Sequence, residues 1–229
     1  MNAKFSPAAR FLLAALLFIL LEIALVMFVD RPLSDYLRAV DVKHHAIIDF
    51  FRSWTNLGKS QWYLWPSGLG MLVSFALSYR RRIPERQRRE WRYVGRVLGF
   101  FFVCVALSGI ATDILKPMIG RARPVALLRE GLYGFQPFSL PTAHDVFNSM
   151  PSGHTTTAFA VAFALMALQP RYARWLIAFA VAIGLSRIMV NAHYLSDVLA
   201  GAVVGTLTTL ALRKLFRRRG WLMVNFPQK

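Results

Sequence analysis

The sequence predicts an all-α membrane protein: six transmembrane helices and one interfacial amphipathic helix in a single domain spanning residues 1–229. Three observations predict it. Apolar residues make up 56% of the chain and are gathered in blocks long enough to cross a hydrocarbon core. The blocks are separated by segments rich in Lys and Arg. On a six-span count, most of those basic segments fall on one side, as lysines and arginines retained in the cytoplasm would. Such a composition leaves little room for disorder.

The first block, residues 11–29, follows Lys4 and Arg10. It is long for a signal peptide and ends without a small-residue cleavage pattern, so it reads as a retained span. Glu22, near its middle, is expected to face other helices through a packing hydrogen bond. In residues 33–54, Leu33, Leu37, Val40, Ile47, Phe51 and Trp54 recur at helical spacing among charged residues, the pattern of a helix lying at the interface. His44 and His45, near Asp41 and Asp49, read as a solvated face, because no dedicated ligand set accompanies them.

The second span is expected at 61–79, followed by the basic loop RRRIPERQRREWR (80–92) with Pro84 as a breaker. The third runs over 93–115, and Pro117 disfavours helix at Lys116 just before it. A mixed loop follows to residue 150. The remaining spans are expected at 153–168, 175–190 and 195–212, ahead of a basic tail. Cys104 is the single cysteine, so no intramolecular disulfide forms.

Six spans put both termini on one side. The N-terminus, residues 80–96, residues 169–174 and the tail carry most of the 28 Lys and Arg, with only Glu85 and Glu90 against them. That side is cytoplasmic. The net charge of +17 is therefore a topology signal, and no nucleic-acid partner is expected.

Three polar clusters interrupt this pattern: KPMIGRARP (116–124), PSGH (151–154) and SRIMVNAHYLSD (186–197). All three emerge on the outer face. Ionisable groups beside a bilayer are functional-site hypotheses by default. Lys116, Arg121, Arg123 and Arg187 offer donors suited to a phosphate, although any one of them alone is better explained by reaching for lipid headgroups. Pro151 suits a first helical turn, which would leave the Ser152 and Gly153 backbone N–H groups free for an anion. His154 beside them could pass a proton to a leaving group. His193 and Asp197 lie four apart; on one helix face, Asp197 would fix one ring nitrogen and leave the other as a nucleophile. Together the clusters fill the roles that phosphoryl transfer needs: positive donors, an oriented nucleophile and an acid.

With Lys116, Arg123, Pro124, then Pro151, Ser152, Gly153, His154, then Ser186, Arg187, His193 and Asp197, the chain resembles the type 2 phosphatidic acid phosphatase superfamily, whose pattern is K-x6-RP, PSGH and SR-x5-H-x3-D. Its relatives include the soluble class A acid phosphatases and vanadium haloperoxidases. The resemblance implies a helical bundle of that type, acting on a membrane lipid phosphate without a metal or other cofactor. His193 would form a phosphohistidine with Asp197 orienting it, and His154 would protonate the leaving oxygen. Lys116, Arg123, Arg187, Ser152 and the Gly153 amide would hold the phosphate. Arg121 lies outside the pattern and receives no role.

The candidate substrates are undecaprenyl diphosphate, phosphatidylglycerol phosphate and phosphatidic acid, with the 1-phosphate of lipid A second. Phe135, Phe138, Leu140 and Phe147 would shape headgroup access. A lipid phosphotransferase with the same site is an alternative, and a non-enzymatic anion transporter a remote one. In a bacterial cell the site would face the periplasm or exterior of the inner membrane. Oligomeric state is not legible.

Overall fold

A computed structural model describes residues 6–138 and 146–221. Lys4 and Leu140, named above, lie outside the described residues. Within them the chain is helical and holds no strand. The helices are α1 (Pro7–Phe28), α2 (Asp30–Lys43), α3 (His45–Trp54), α4 (Gln61–Tyr79), α5 (Glu85–Ile119), α6 (Pro124–Glu130), α7 (Gly153–Leu168), α8 (Ala173–Met189) and α9 (Leu195–Arg218). Short 3-10 turns, Thr55–Gly58 and Pro170–Tyr172, precede α4 and α8.

Among the described residues four helices are long and apolar enough to cross a membrane: α1, α5, α9, and α8 with its leading turn. α4 and α7 stand where the second and fourth spans were expected but are not among those four; α7 has only 16 residues. α1 opens with Pro7 in its first turn, and the Ser6 hydroxyl accepts from the Ala9 N–H at 3.2 Å. Glu22 is its one buried residue, so the helix presents its apolar surface outward, as lipid contact requires. Neither Glu22 carboxylate oxygen has a hydrogen-bond partner among the described residues, against the expected packing bond. Arg121, which is within electrostatic reach of Glu22, has its terminal nitrogens committed to Asp30, Ser196 and Asp197.

Three further expectations are corrected. Residues 33–54 do not form one helix: the backbone breaks at His44 (φ −135°, ψ 53°), which lets Leu37 of α2 and Ile48 of α3 both turn inward. The basic stretch after Pro84 is the first two turns of α5 rather than a loop. Its Glu, Gln and Arg residues are good helix formers, and Glu85 accepts from Arg92 at 2.8 Å and pairs with Arg88. Helix also continues through Lys116 and Pro117 to Ile119. In this last turn the proline removes a single bond to the Asp113 carbonyl, and Gly120 (φ +59°) closes the end by donating to the Lys116 carbonyl at 2.8 Å.

The core is built around α7, which packs against α5, α8 and α9. Its inward residues are small: Ala158, Ala160, Ala162 and Ala164 are fully buried. On α9, Gly201 and Gly205 lie one turn apart and face it. A Cβ at Gly205 would stand 2.3 Å from the Thr156 carbonyl oxygen, and one at Gly201 would stand 2.5 Å from the Ser152 carbonyl oxygen. Small residues at this spacing let two helix backbones meet where lipid removes the hydrophobic drive to associate. The contact sets the start of α7 against the start of α9.

Candidate active site

All three polar clusters meet at one end of the bundle. Val190 to Tyr194 form the turn between α8 and α9. Asn191 takes a left-handed conformation there (φ 49°), which asparagine tolerates. α2 braces the turn: Ser34 Oγ donates to Asn191 Oδ1 at 2.8 Å, and Asn191 Nδ2 donates to the Ser34 carbonyl at 3.2 Å. His193 therefore precedes α9 rather than lying on it, correcting the expected shared helix face. Tyr194 is the N-cap, and Asp197 in the first turn reaches back so that Oδ2 accepts the Tyr194 N–H at 2.9 Å. The same oxygen lies 3.5 Å from His193 Nδ1. The pairing thus arises from a helix cap, not from helical periodicity.

Asp197 is fully buried and held from several sides. Ser149 Oγ donates to Oδ2 at 2.5 Å and lies 3.5 Å from His193 Nδ1. Arg121 Nη1 donates to Oδ1 at 2.7 Å. Burial pushes the His193 imidazole down to about 4, against the opposing pull of the Asp197 carboxylate and with the help of the nearby Arg187 and Arg123 charges. At neutral pH the ring is uncharged, and only one of its nitrogens faces Asp197.

The cations converge from other elements. Arg187, in the last turn of α8, donates from Nη1 to Thr55 Oγ1 at 2.8 Å. Its Nε is buried and has no acceptor among the described residues. Arg123 is the N-cap residue of α6, and its Nε donates to Asn148 Oδ1 at 2.5 Å. Lys116 Nζ lies 3.9 Å from where a Gly153 Cβ would stand, and 3.9 Å from Asp113 Oδ1. Gly153 opens α7, so its N–H lacks an intrahelical acceptor.

Ser152 departs from expectation. Its N–H is not free but donates to the Asp197 carbonyl at 2.9 Å, and its hydroxyl accepts from Thr155 Oγ1 at 3.1 Å. Pro151 stands ahead of the helix rather than in its first turn.

His154 lies in the first turn of α7, within electrostatic reach of His193, Arg187, Lys59 and Lys116. Gly58 allows that placement: a Cβ there would come 2.9 Å from His154 Cβ. Beside His154 a cavity of about 310 Å³ opens, lined also by Lys59, Gln61, Thr112, Asp113 and Gly153. A second, apolar cavity of about 590 Å³ lies between α2, α3 and α8, lined by Leu33, Phe51, Trp54, Leu185, Ile188 and Leu195 among others. Phe135 and Phe138 are exposed on the loop after α6.

Sequence reasoning missed Ser149, Asn148, Thr55 and Asp30, and left Arg121 without a role. None sits at a spacing that links it to His193.

The PAP2 superfamily model matches residues 97–221. A protein named lipid A 1-phosphatase from Rhizobium johnstonii is 36% identical over 200 residues, covering 86% of this chain and 78% of that protein. A second of that name, from Rhizobium etli, is 38% identical over 175 residues, covering 76% and 73%. Two solved structures share the fold. The transmembrane PAP2-type phosphatidylglycerolphosphate phosphatase of Bacillus subtilis has a TM-score of 0.57 at 21% identity, covering 89% of this chain and 94% of that one. Aquifex aeolicus LpxE has a TM-score of 0.52 at 22% identity, covering 79% and 93%. The chain belongs to the PAP2 superfamily and is a phosphatase.

Proposed function

We propose that the chain dephosphorylates a membrane lipid at the outer face of a bacterial inner membrane, through a phosphohistidine on His193, and that its substrate is the 1-phosphate of lipid A. The observation that carries the chemistry is the meeting of His193, backed by Asp197, with Arg187, Arg123, Lys116 and His154 at one end of the bundle. The buried, unpartnered Nε of Arg187 needs an acceptor, and a phosphate oxygen would supply it.

In the first step the free ring nitrogen of His193, Nε2, attacks phosphorus. The bond to the leaving oxygen breaks, and His154 delivers its proton to that oxygen. Asp197 holds the Nδ1–H and offsets the positive charge that the ring acquires. In the second step His154 takes a proton from water, which displaces Nε2 and releases inorganic phosphate. Arg187, Arg123, Lys116 and the Gly153 N–H hold the three phosphate oxygens, whose negative charge grows during transfer.

The substrate reading rests on the relatives. Isoprenoid and glycerolipid phosphates stood first on sequence alone, but the two relatives covering most of this chain are both named lipid A 1-phosphatase. The apolar cavity suits an acyl chain. Phosphate release by purified protein in detergent with EDTA, across lipid A, undecaprenyl diphosphate, phosphatidylglycerol phosphate and phosphatidic acid, tests it. Fastest release from lipid A, lost in His193→Ala, is the expected result. Preference for another lipid removes the substrate assignment. Transfer only when an acceptor lipid is added makes the protein a phosphotransferase.

A further inference from the structure

Arg121 is a fully buried arginine that neither lines the cavity beside His154 nor belongs to the motif residues assigned to phosphate. Its guanidinium bridges two buried carboxylates. Nη1 donates to Asp197 Oδ1 and Nη2 to Asp30 Oδ2, each at 2.7 Å. Nη1 also donates to Ser196 Oγ, which in turn donates to Asp30 Oδ2 at 2.6 Å. The Ser196 N–H donates to Asp30 Oδ1 at 3.2 Å. The rings of Tyr194 and Phe135 flank the cation at 4.3 and 5.4 Å from their centroids. The Arg121 carbonyl accepts the Ser149 N–H at 3.0 Å, so the same residue fixes the segment that carries Asp197's hydroxyl donor.

Resting on the phosphohistidine reading above, we propose that Arg121, anchored by Asp30 and Ser196, is a positioning residue that acts on the reaction through Asp197. With Oδ1 held by the guanidinium, the carboxylate is rotated so that Oδ2 faces His193 Nδ1. The planar fork suits this task because it reaches two carboxylates in fixed directions, which an ammonium does not. Charge fits as well. The ring becomes cationic while phosphorus is bound to it, and a carboxylate held with Oδ2 towards Nδ1 faces that charge. Asp30 lies at the junction of α1 and α2, Arg121 after α5 and Asp197 on α9, so three distant parts of the chain set one carboxylate.

A double-mutant cycle separates this role from mere support. Phosphate release is measured in detergent for wild type, Arg121→Gln, Arg121→Lys, Asp197→Asn and Arg121→Gln/Asp197→Asn, together with inhibition by inorganic phosphate and Tm. Arg121→Gln is expected to lower kcat about 10–100-fold, by analogy with the loss when the partner behind a metal-ligating side chain is removed, with KM and phosphate inhibition unchanged. Arg121→Lys recovers part of it. In the Asp197→Asn background, Arg121→Gln brings no further loss. An equal loss in both backgrounds, or a change confined to KM and phosphate inhibition, overturns the proposal. Ser196→Ala is a milder variant for the case where Arg121→Gln does not fold: several-fold lower kcat that vanishes in the Asp197→Asn background supports the role, and wild-type kcat overturns it. His193→Ala runs alongside. If that variant stays active, the phosphohistidine reading itself is wrong; if it is inactive and the cycle is additive, only the role of Arg121 is.

Discussion

At the scale of residues, His193 is neutral at physiological pH because burial outweighs the pull of Asp197. Its folded value of about 4 lies below the unfolded value near 6.5, so activity that needs the free imidazole persists below pH 6.5 and is lost as pH falls through about 4. The acid limb of kcat/KM, corrected for ionisation of the substrate phosphate near pH 6, is expected well below 6; a limb at 6.5 would contradict it. Linkage has the same sign: above 6.5 His193 contributes no pH dependence to stability, and below it the unfolded chain binds the extra proton and the fold weakens. His193, His154, Asp197 and the motif cations were legible in the sequence because each lies in a short motif of fixed spacing. Ser149 and Asp30 were not, since long-range packing alone brings Ser149 to Asp197 and Asp30 to Arg121 and Ser196. His193 and Asp197 were paired correctly for the wrong reason, the link being a cap rather than a shared helix face.

At the scale of elements, the contact between α7 and α9 depends on two glycines. Gly205→Ala drives a methyl into the Thr156 carbonyl oxygen, and such overpacking costs roughly 1–3 kcal/mol. A fall in Tm is expected without a change in KM; unchanged Tm would show that α9 relaxes freely. Gly58→Ala presses on both His154 and the buried Ile183, each 2.9 Å from the new methyl, and is expected to lower kcat together with Tm. Hydrophobic blocks located the helices well. Their ends were misjudged where charge or proline was taken as a stop. Outside the hydrocarbon, arginines continue α5 as readily as leucines do within it, and a proline in the final turn removes only one bond.

For the whole molecule, charge was the readable signal and depth was not. The basic segments and the polar clusters lie at opposite helix ends, and the proposed orientation rests on that asymmetry. Whether α4 and α7 cross fully is not set by composition, because short or polar-spotted helices can sit inside a bundle. Single cysteines test the orientation, since the native Cys104 is buried. In spheroplasts, Lys59→Cys is expected to react with an impermeant maleimide, and Arg171→Cys only after lysis. The reverse pattern would place the site in the cytoplasm.

The most direct measurement of the central claim is rapid-quench peptide mapping during turnover of a lipid phosphate. Acid-labile, base-stable phosphate on the peptide carrying His193, absent from His193→Ala, is the expected result. Phosphate on another residue, or full turnover by His193→Ala, would contradict it.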